Sequence, residues 1–173
     1  MFPLGDFEVE RNKNWIMRTL ITPSQVLTLA FNGGQYLSQS AISEADILAA
    51  TSRYLQPVVG QELLEALYEG QYEQLLADYL APALAFAVRA LVQPSLALRT
   101  GEGGVTAPRT DASVTAERYA VDALMRSIKS RMHELIEQLS HHLNQNAGSY
   151  PEYNPKLNIL NRCSIDGGIV QIF

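Results

Sequence analysis

Cysteine and charged residues are both scarce in this sequence of 173 residues. A single cysteine excludes an internal disulfide framework. Thirteen basic and eighteen acidic side chains give a net charge of −5, which argues against a nucleic-acid-binding protein with a broad basic face. Hydrophobic residues make up 47% of the chain, a share typical of globular proteins rather than disordered ones. The length suits one domain.

A secretory signal and an uninterrupted membrane-spanning run are also missing. The first ten residues, MFPLGDFEVE, carry three acids and no base, the opposite of a signal peptide. The most apolar stretch, residues 79–98, has Arg89 near its centre and is interrupted by Pro82 and Pro94. A central arginine costs about 2.5–3.5 kcal/mol even on a lenient insertion scale. The stretch is therefore predicted to be a helix buried between other helices of an intracellular protein without membrane contact.

Helix-start signals and apolar periodicity predict a mainly α fold, a small helical bundle. Thr22 and Ser43 each precede a helical pattern and have a capping partner three residues later. Pro57 and Gly60 are expected to end the second of these helices, and a short helix follows over residues 61–68.

Two long helices are predicted to form the body of the bundle. The first covers about residues 72–98, and Pro82 is expected to bend or split it. The second covers about residues 115–146, where apolar residues form one stripe. Such a helix would be about 48 Å long in a globule roughly 31 Å across, so one end is expected to project, or the helix to bend. Residues 99–112 contain three glycines and a proline, which predicts a loop between the long helices.

The C-terminal residues lose the helical period and end in a predicted β-strand. Four apolar residues follow a Gly-Gly pair: Ile169, Val170, Ile172 and Phe173. One strand cannot satisfy its own backbone groups, so it needs a partner in another chain or in this one, where the N-terminal 21 residues could supply it. The predicted organisation is a helical domain over 1–146, with an N-terminal arm over 1–21, and an extended or single-strand tail over 147–173.

The net charge is concentrated in residues 40–98, where seven acids and two bases give 2 − 7 = −5. Four glutamates of this region are candidate partner-contacting residues: Glu62, Glu65, Glu69 and Glu73. They form either an acidic surface that docks on a basic partner and repels DNA, or an ordinary solvated helical surface. The apolar residues of the C-terminal strand are the other candidates for partner contact.

The spacing of polar residues indicates no catalytic, cofactor-binding or metal-binding site. His133 begins a zinc-protease-like pattern, but Glu137 stands where the second histidine should be. His141 lies about 80° around the helix from His133, too far for both to ligate one ion from a single helix. The glycine-rich residues 101–104 lack the Lys-Ser/Thr of a phosphate loop, and Cys163 has no histidine close in sequence to act as a base. The protein is predicted not to be an enzyme and to need no cofactor.

A turn with the pattern Arg-Tyr-Leu-x-Pro-x-x-Gly, from Arg53 to Gly60, precedes a short Leu-rich helix and a long Ala/Leu helix. This order over residues 42–92 resembles the small helical head–tail connector proteins of tailed phages and prophages, also called head-completion or neck adaptor proteins. The glycine-containing loop and the second long helix extend the resemblance to residue 146. The resemblance implies a structural protein that assembles as a ring on the portal protein, extends the DNA channel and provides a docking surface for a tail or stopper protein.

The resemblance also implies a location in the virion neck, after assembly in the cytoplasm of the bacterial host. DNA would pass through the channel without sequence-specific binding, past an acidic helical surface, and the C-terminal strand would add to a neighbour's sheet. The alternative is a small intracellular helical protein-binding or regulatory module, whose apolar tail pairs in a dimer. An enzyme would require the histidines of the long helix, or Cys163, to meet other groups in space.

Overall fold

Helices follow one another in the order that the sequence predicts. A computed structural model describes residues 18–31, 37–96, 99–101, 104–106, 118–166 and 169–172. The helices in these residues are α1 (Pro23–Ala30), α2 (Glu44–Ala50), α3 (Gln56–Val59), α4 (Gln61–Tyr68), α5 (Glu73–Leu75), α6 (Ala81–Leu96) and α7 (Arg118–Gln145). Short 3₁₀ turns lie at Gln39–Ala41, Ala147–Ser149 and Ile159–Asn161. The prediction of a mainly α helical bundle is confirmed.

Capping boxes begin α1 and α2 at the predicted residues. The Thr22 amide donates to Gln25 Oε1 at 2.8 Å, and the Gln25 amide donates back to Thr22 Oγ1 at 3.3 Å. The Ser43 amide donates to Asp46 Oδ2 at 2.9 Å, and the Asp46 amide donates to Ser43 Oγ at 3.2 Å. Each box satisfies two amides that have no partner inside the helix, an effect of about 1 kcal/mol per cap.

Prolines 57 and 82 lie inside continuous helical segments, each two residues after a π turn. One π turn, Thr51–Leu55, joins α2 to α3, and the other, Leu76–Leu80, joins α5 to α6. In a regular α-helix a proline ring clashes with the carbonyl four residues before it and removes one hydrogen bond. The wider π turn moves that carbonyl away from the ring and shifts the bonding by one residue.

The expected effects of these prolines are therefore wrong in part: Gly60 rather than Pro57 ends the first helix, and Pro82 does not split the second. Pro57 does not end its helix, which continues to Val59 and stops at Gly60, where φ is +88° and glycine carries no Cβ penalty. Pro82 does not split the first long helix, which is continuous over Glu73–Leu96.

The core of the bundle is α6, which is buried on most sides. The side chains with no exposed surface in its middle are mostly small: Ala83, Leu84, Ala85, Ala87 and Val88. Helices α1, α2 and α7 pack on it. The segment Glu73–Leu96 is long and apolar enough to cross a membrane by length and composition, and 61% of its most apolar window is buried by the rest of the chain. The expectation of a helix buried between other helices is met.

Helix α7 runs antiparallel to α6 and projects at its N-terminal end. His142 stacks on Tyr79, whereas Arg131, eleven residues earlier, lies over Phe86. The buried stripe of α7 consists of Ile128, Met132, Ile136, Leu139 and Leu143. Residues 119–124 are all exposed, because they extend past the body that covers this stripe. Of the two expected arrangements, a projecting end is the one observed.

Part of the predicted tail packs on the bundle. Tyr153 and Asn158 are buried, and Asn158 Nδ2 donates to Ser140 Oγ of α7 and to the Tyr153 hydroxyl, both at 2.8 Å. The Tyr153 hydroxyl in turn donates to Asn144 Oδ1 of α7 at 2.7 Å. Residues 147–162 are therefore held to the C-terminal half of α7 by a buried polar network.

Two antiparallel hairpins complete the described chain. Strand β4 (Ile169–Ile172) is the strand that the sequence predicts, and its partner is β3 (Cys163–Asp166) of the same chain. The N-terminal segment considered as a partner lies largely outside the described residues, as does Phe173. Strands β1 (Arg99–Gly101) and β2 (Gly104–Thr106) pair where a loop was expected between α6 and α7.

We expect Asn158→Ala to lower the free energy of unfolding by about 1–3 kcal/mol, because the hydroxyls of Ser140 and Tyr153 and the Leu160 amide lose a buried partner. Urea denaturation measures the change. Leu157→Ala is the control, since this neighbouring side chain is 57% exposed and its loss should matter by less than about 0.5 kcal/mol. Equal effects of the two substitutions would contradict the role given to the network.

Candidate functional site

A groove of 570 Å³ lies between α1 and α7, with α6 as its floor. Its lining combines apolar side chains with two cations: Leu29, Phe86, Leu124, Ile128, Arg89 and Arg131. The Arg131 guanidinium lies 5.7 Å from the centroid of the Phe86 ring, a cation–π distance. The combination suits a protein surface that brings both apolar and acidic groups.

Arg89 ties the floor of this groove to the end of α1. The side chain is 8% exposed, and its Nη1 donates to the carbonyl of Ala30, the last residue of α1. Its Nε donates to Gln93 Oε1 at 3.3 Å, and its guanidinium carbon lies 4.6 Å from the Phe31 ring centroid. Desolvation lowers the pKa of Arg89, which still keeps its charge at neutral pH. The charge caps the negative end of α1.

An apolar surface continues from the groove along the projecting part of α7. Its members are large hydrophobic side chains with substantial exposure: Tyr119 71%, Val121 39% and Leu124 41%. We call these three residues the apolar end of α7. Leu29, on the opposite wall of the groove, is 40% exposed. Val121 and Leu124, three residues apart, are neighbours on one side of the helix, and adjacent exposed apolar side chains of this kind mark protein-interaction sites. Tyr119 lies about 160° around the helix from Val121.

Basic side chains flank the same part of α7. Arg126, Lys129 and Arg131 are exposed. Arg131 lines the groove, whereas Arg126 and Lys129 lie on the other side of the helix. Residues 119–131 hold these three bases and one acid, Asp122, so their charge is 3 − 1 = +2. This part of α7 is thus positively charged in a chain whose net charge is negative.

A cluster of tyrosines and one histidine lies at the other end of α7. The rings of Tyr79 and His142 stack with centroids 4.1 Å apart, and His142 Nε2 is 3.1 Å from the Tyr150 hydroxyl. Tyr72 meets Tyr150 edge to face at 5.1 Å. A smaller groove of 280 Å³ beside this cluster is also lined by Asp78. The cluster joins the segment after α7 to the start of the first long helix.

The backbone of Tyr72, a member of this cluster, is in the left-handed conformation. Its φ of 56° is unusual for a residue other than glycine, and it is the one such case among the residues that the structure describes. Its hydroxyl donates to Glu152 Oε2 at 2.8 Å. This bond and the contact with Tyr150 offset the backbone strain.

Three tyrosine pKa values are raised above the ordinary 10.0 in this region. The hydrogen bond to Glu152 is the main cause that raises the pKa of Tyr72, and desolvation and the Glu152 charge raise it further. Desolvation is the main cause that raises the pKa of Tyr150 and of Tyr68. A hydrogen bond with Thr51 lowers the pKa of Tyr68, but by less. These hydroxyls therefore keep their protons longer in the folded chain than in the unfolded chain.

The partner-contacting residues that the sequence proposes lie on different elements. Glu62 and Glu65 are on α4, Glu69 follows it, and Glu73 begins α5; all four are exposed. Glu65 accepts a hydrogen bond from Gln61 at 2.7 Å, and Glu69 accepts one from Gln71 at 3.4 Å. A second set, Ile169, Val170 and Ile172, lies on β4, whereas Phe173 is outside the described residues.

The residues considered above as candidates for catalysis or metal binding do not form a common site among the residues that the structure describes. His133 and His141 are both exposed, and His141 is hydrogen-bonded to Gln145 at 2.7 Å. Cys163 lies in β3. In the part of the chain that the structure describes, no group of three or more His, Cys, Asp or Glu side chains is placed to hold a metal ion.

Sequence reasoning missed both the π turns and the tyrosine–histidine cluster. A signal for the first was present: Tyr-Leu-x-Pro occurs at residues 54–57 and again at 79–82. In both copies the tyrosine and leucine fall inside the π turn, and the leucine is fully buried. Arg89 was recognised only as an obstacle to membrane insertion, although a lone cation in an Ala/Leu helix is also a signal for a buried polar partner.

A family model described as a family of unknown function, DUF6712, matches residues 35–161, which is more than half of the chain. The chain belongs to this family. The match includes α2 to α7 and the packed segment after α7 as far as Asn161. No curated protein and no solved structure matches the chain.

The free energy of unfolding should fall as the pH rises past about 10, because the unfolded chain then releases tyrosine protons that the folded chain retains. Tyr72→Phe removes one of these groups, so we expect a shallower decline between about pH 9 and pH 11. Urea denaturation at a series of pH values measures it. Leu157→Ala is the control, because this exposed side chain does not titrate, and it should leave the decline as steep as in the parent chain. An unchanged slope in Tyr72→Phe would argue against the Glu152 bond.

Proposed function

We propose that this protein is a structural head–tail connector, a neck adaptor of a tailed phage or prophage. In this role it assembles as a ring on the portal protein, extends the DNA channel and offers a docking surface to a tail or stopper protein. The observation that carries the proposal is the apolar end of α7. The stripe of this helix is buried from Ile128 to Leu143, whereas Tyr119, Val121 and Leu124, nearer the N-terminal end, are exposed.

Exposed apolar surface of this kind is unfavourable for an isolated chain and favourable for an assembly. Burying a large aliphatic or aromatic side chain contributes about 1.5–3 kcal/mol, and a partner could recover part of that for each residue of the apolar end. The adjoining groove adds Leu29 and Phe86 to the same surface. A structural protein that works through contacts with copies of itself and with a portal needs such surfaces on a rigid body.

The C-terminal hairpin supports the same role. An isolated two-stranded hairpin is marginal in water, and each of its outer edges presents unpaired backbone groups. Among the residues that the structure describes, strands β3 and β4 pair only with each other, which leaves both outer edges for strand addition. The resemblance of the Arg53–Gly60 turn and of the helices after it to connector proteins points to the same function.

The decisive experiment mixes the purified chain with the portal protein encoded in the same genome. We expect a stable complex in sedimentation velocity, and a ring on the portal in negative-stain images. Metabolic or regulatory genes around this one, together with the absence of portal binding, would refute the proposal and favour the small intracellular protein-binding module.

We expect Val121→Ser with Leu124→Ser to weaken portal binding or self-association about five- to thirtyfold, because the two substitutions remove about 1–2 kcal/mol of apolar burial. Titration followed by sedimentation velocity gives the dissociation constant. The control is Ala120→Ser with Ala123→Ser, which changes exposed residues of the same helical turns and removes little apolar area. Circular dichroism verifies that α7 stays helical in both variants. Equal affinities of the two variants would mean that the apolar end is not an interface.

A further inference from the structure

The 570 Å³ groove between α1 and α7 exposes large apolar side chains beside a cation. Leu29 and Leu124, on its two walls, are 40% and 41% exposed, and Phe86 lies on its floor. Arg131, an exposed cation, lines the same groove, and among the residues that the structure describes no acid lines it. A segment that suits this surface therefore brings apolar side chains together with negative charge.

The first ten residues of the chain have this composition. Their sequence, MFPLGDFEVE, contains three acids and no base. Residues 11–17 hold no acid, so the acids of the chain before Arg18 all lie in the first ten residues. We call residues 1–10 the acidic segment; it lies outside the described residues. Large apolar residues stand among its acids: Phe2, Leu4, Phe7 and Val9.

The acidic segment can reach the groove of its own chain. The described structure begins at Arg18, and α1 then leads from Pro23 to Ala30, which lines the groove. The helix covers about 11 Å between these two residues, and the five residues before it add at most about 17 Å. Glu8 is ten residues before Arg18, and ten residues can span about 33 Å. The connection is therefore long enough for the acids to lie in the groove.

Two other segments next to the groove suit it less well. Residues 32–36, which follow α1, have the sequence NGGQY and carry no acid. Residues 107–117, which precede α7, carry two acids and one base, and Val114 is their one large apolar residue. Neither segment combines several large apolar side chains with purely negative charge. The acidic segment is the better match to the groove.

We propose that the acidic segment binds in the groove of its own chain, with its apolar residues against Leu29, Phe86 and Leu124 and its carboxylates at Arg131. A short connection holds the segment near the groove, which gives it a high effective concentration there. The contact covers apolar surface of the unassembled chain, so a partner that uses the groove has to displace the segment. The inference concerns the isolated chain and does not depend on the proposed function, so each can fail without the other.

The first test places an amine in the groove of the full chain. Arg131→Lys keeps the positive charge, and a carbodiimide joins the new amine to a carboxylate in contact with it. We expect linkage to Asp6, Glu8 or Glu10, identified by peptide mass spectrometry in the monomeric fraction. Lys129 is the control within the same molecule, because it is exposed on the other side of α7. Linkage of these acids to the groove amine should exceed their linkage to Lys129 at least tenfold.

The second test follows cleavage of the acidic segment by a glutamate-specific protease, which cuts after Glu8 and Glu10. A bound segment is cut slowly, because the protease acts on the released form. We expect Arg131→Glu to accelerate this cleavage at least fivefold. Arg126→Glu makes the same change of charge at an exposed site on the other side of the helix and should leave the rate as in the parent chain. Cleavage after Glu134 reports opening of α7 itself and should not change.

Four outcomes would overturn the inference. The acids could link to the groove amine no more than to Lys129, or the groove amine could link only to Asp111 or Glu117, which would assign the groove to residues 107–117. The expected links could occur only in dimers, which would assign the groove to the segment of a second copy. The last is equal cleavage of the acidic segment in the parent chain and both variants. If cleavage after Glu134 also accelerates, the cross-links decide, because they need no charge reversal.

Discussion

Burial of α6 is the constraint on which the rest of the structure depends. Its middle consists largely of alanines with no exposed surface, so neighbouring helices can approach its backbone closely from several sides. Such a helix is stable only while those sides stay covered, and α1, α2 and α7 supply the cover. The π turn before Pro82 follows from the same constraint, because a break there would expose the buried surface that begins at Leu80.

Arg89 shows how a charge is accommodated in that core. A buried guanidinium is unfavourable unless its donors are satisfied, and here it bonds the last carbonyl of α1 and the side chain of Gln93. The C-terminal end of α1 has no basic residue in its last turn. The arginine therefore does from α6 what a local lysine or glycine cap does in other helices. It also orients α1, and with it Leu29, at one wall of the groove.

Local signals made the helices predictable, whereas contacts between distant residues did not. The capping boxes at Thr22 and Ser43 involve residues three apart, and the buried stripe of α7 repeats at helical spacing. Both features can therefore be predicted from short stretches of the sequence. The packing of residues 147–162 depends on a hydrogen bond between Asn158 and Ser140, which are eighteen residues apart in the sequence. The periodicity of apolar residues does not predict a contact between polar groups so far apart. The exposure of the four glutamates followed from their charge, but the groove beside Arg131 needs three helices to be placed in space.

The two ends of α7 differ in what they contribute to stability, and this difference supports the proposed assembly role. The C-terminal half is fixed twice, by the apolar stripe against α6 and by the polar network with the segment after it. The first turns of α7 add little to the core, since residues 119–124 are all exposed. Their side chains can therefore be chosen for contacts with a partner without loss of the bundle's stability. A rigid base with an exposed apolar extension suits an interaction surface, because a preorganised base reduces the conformational entropy that is lost on binding.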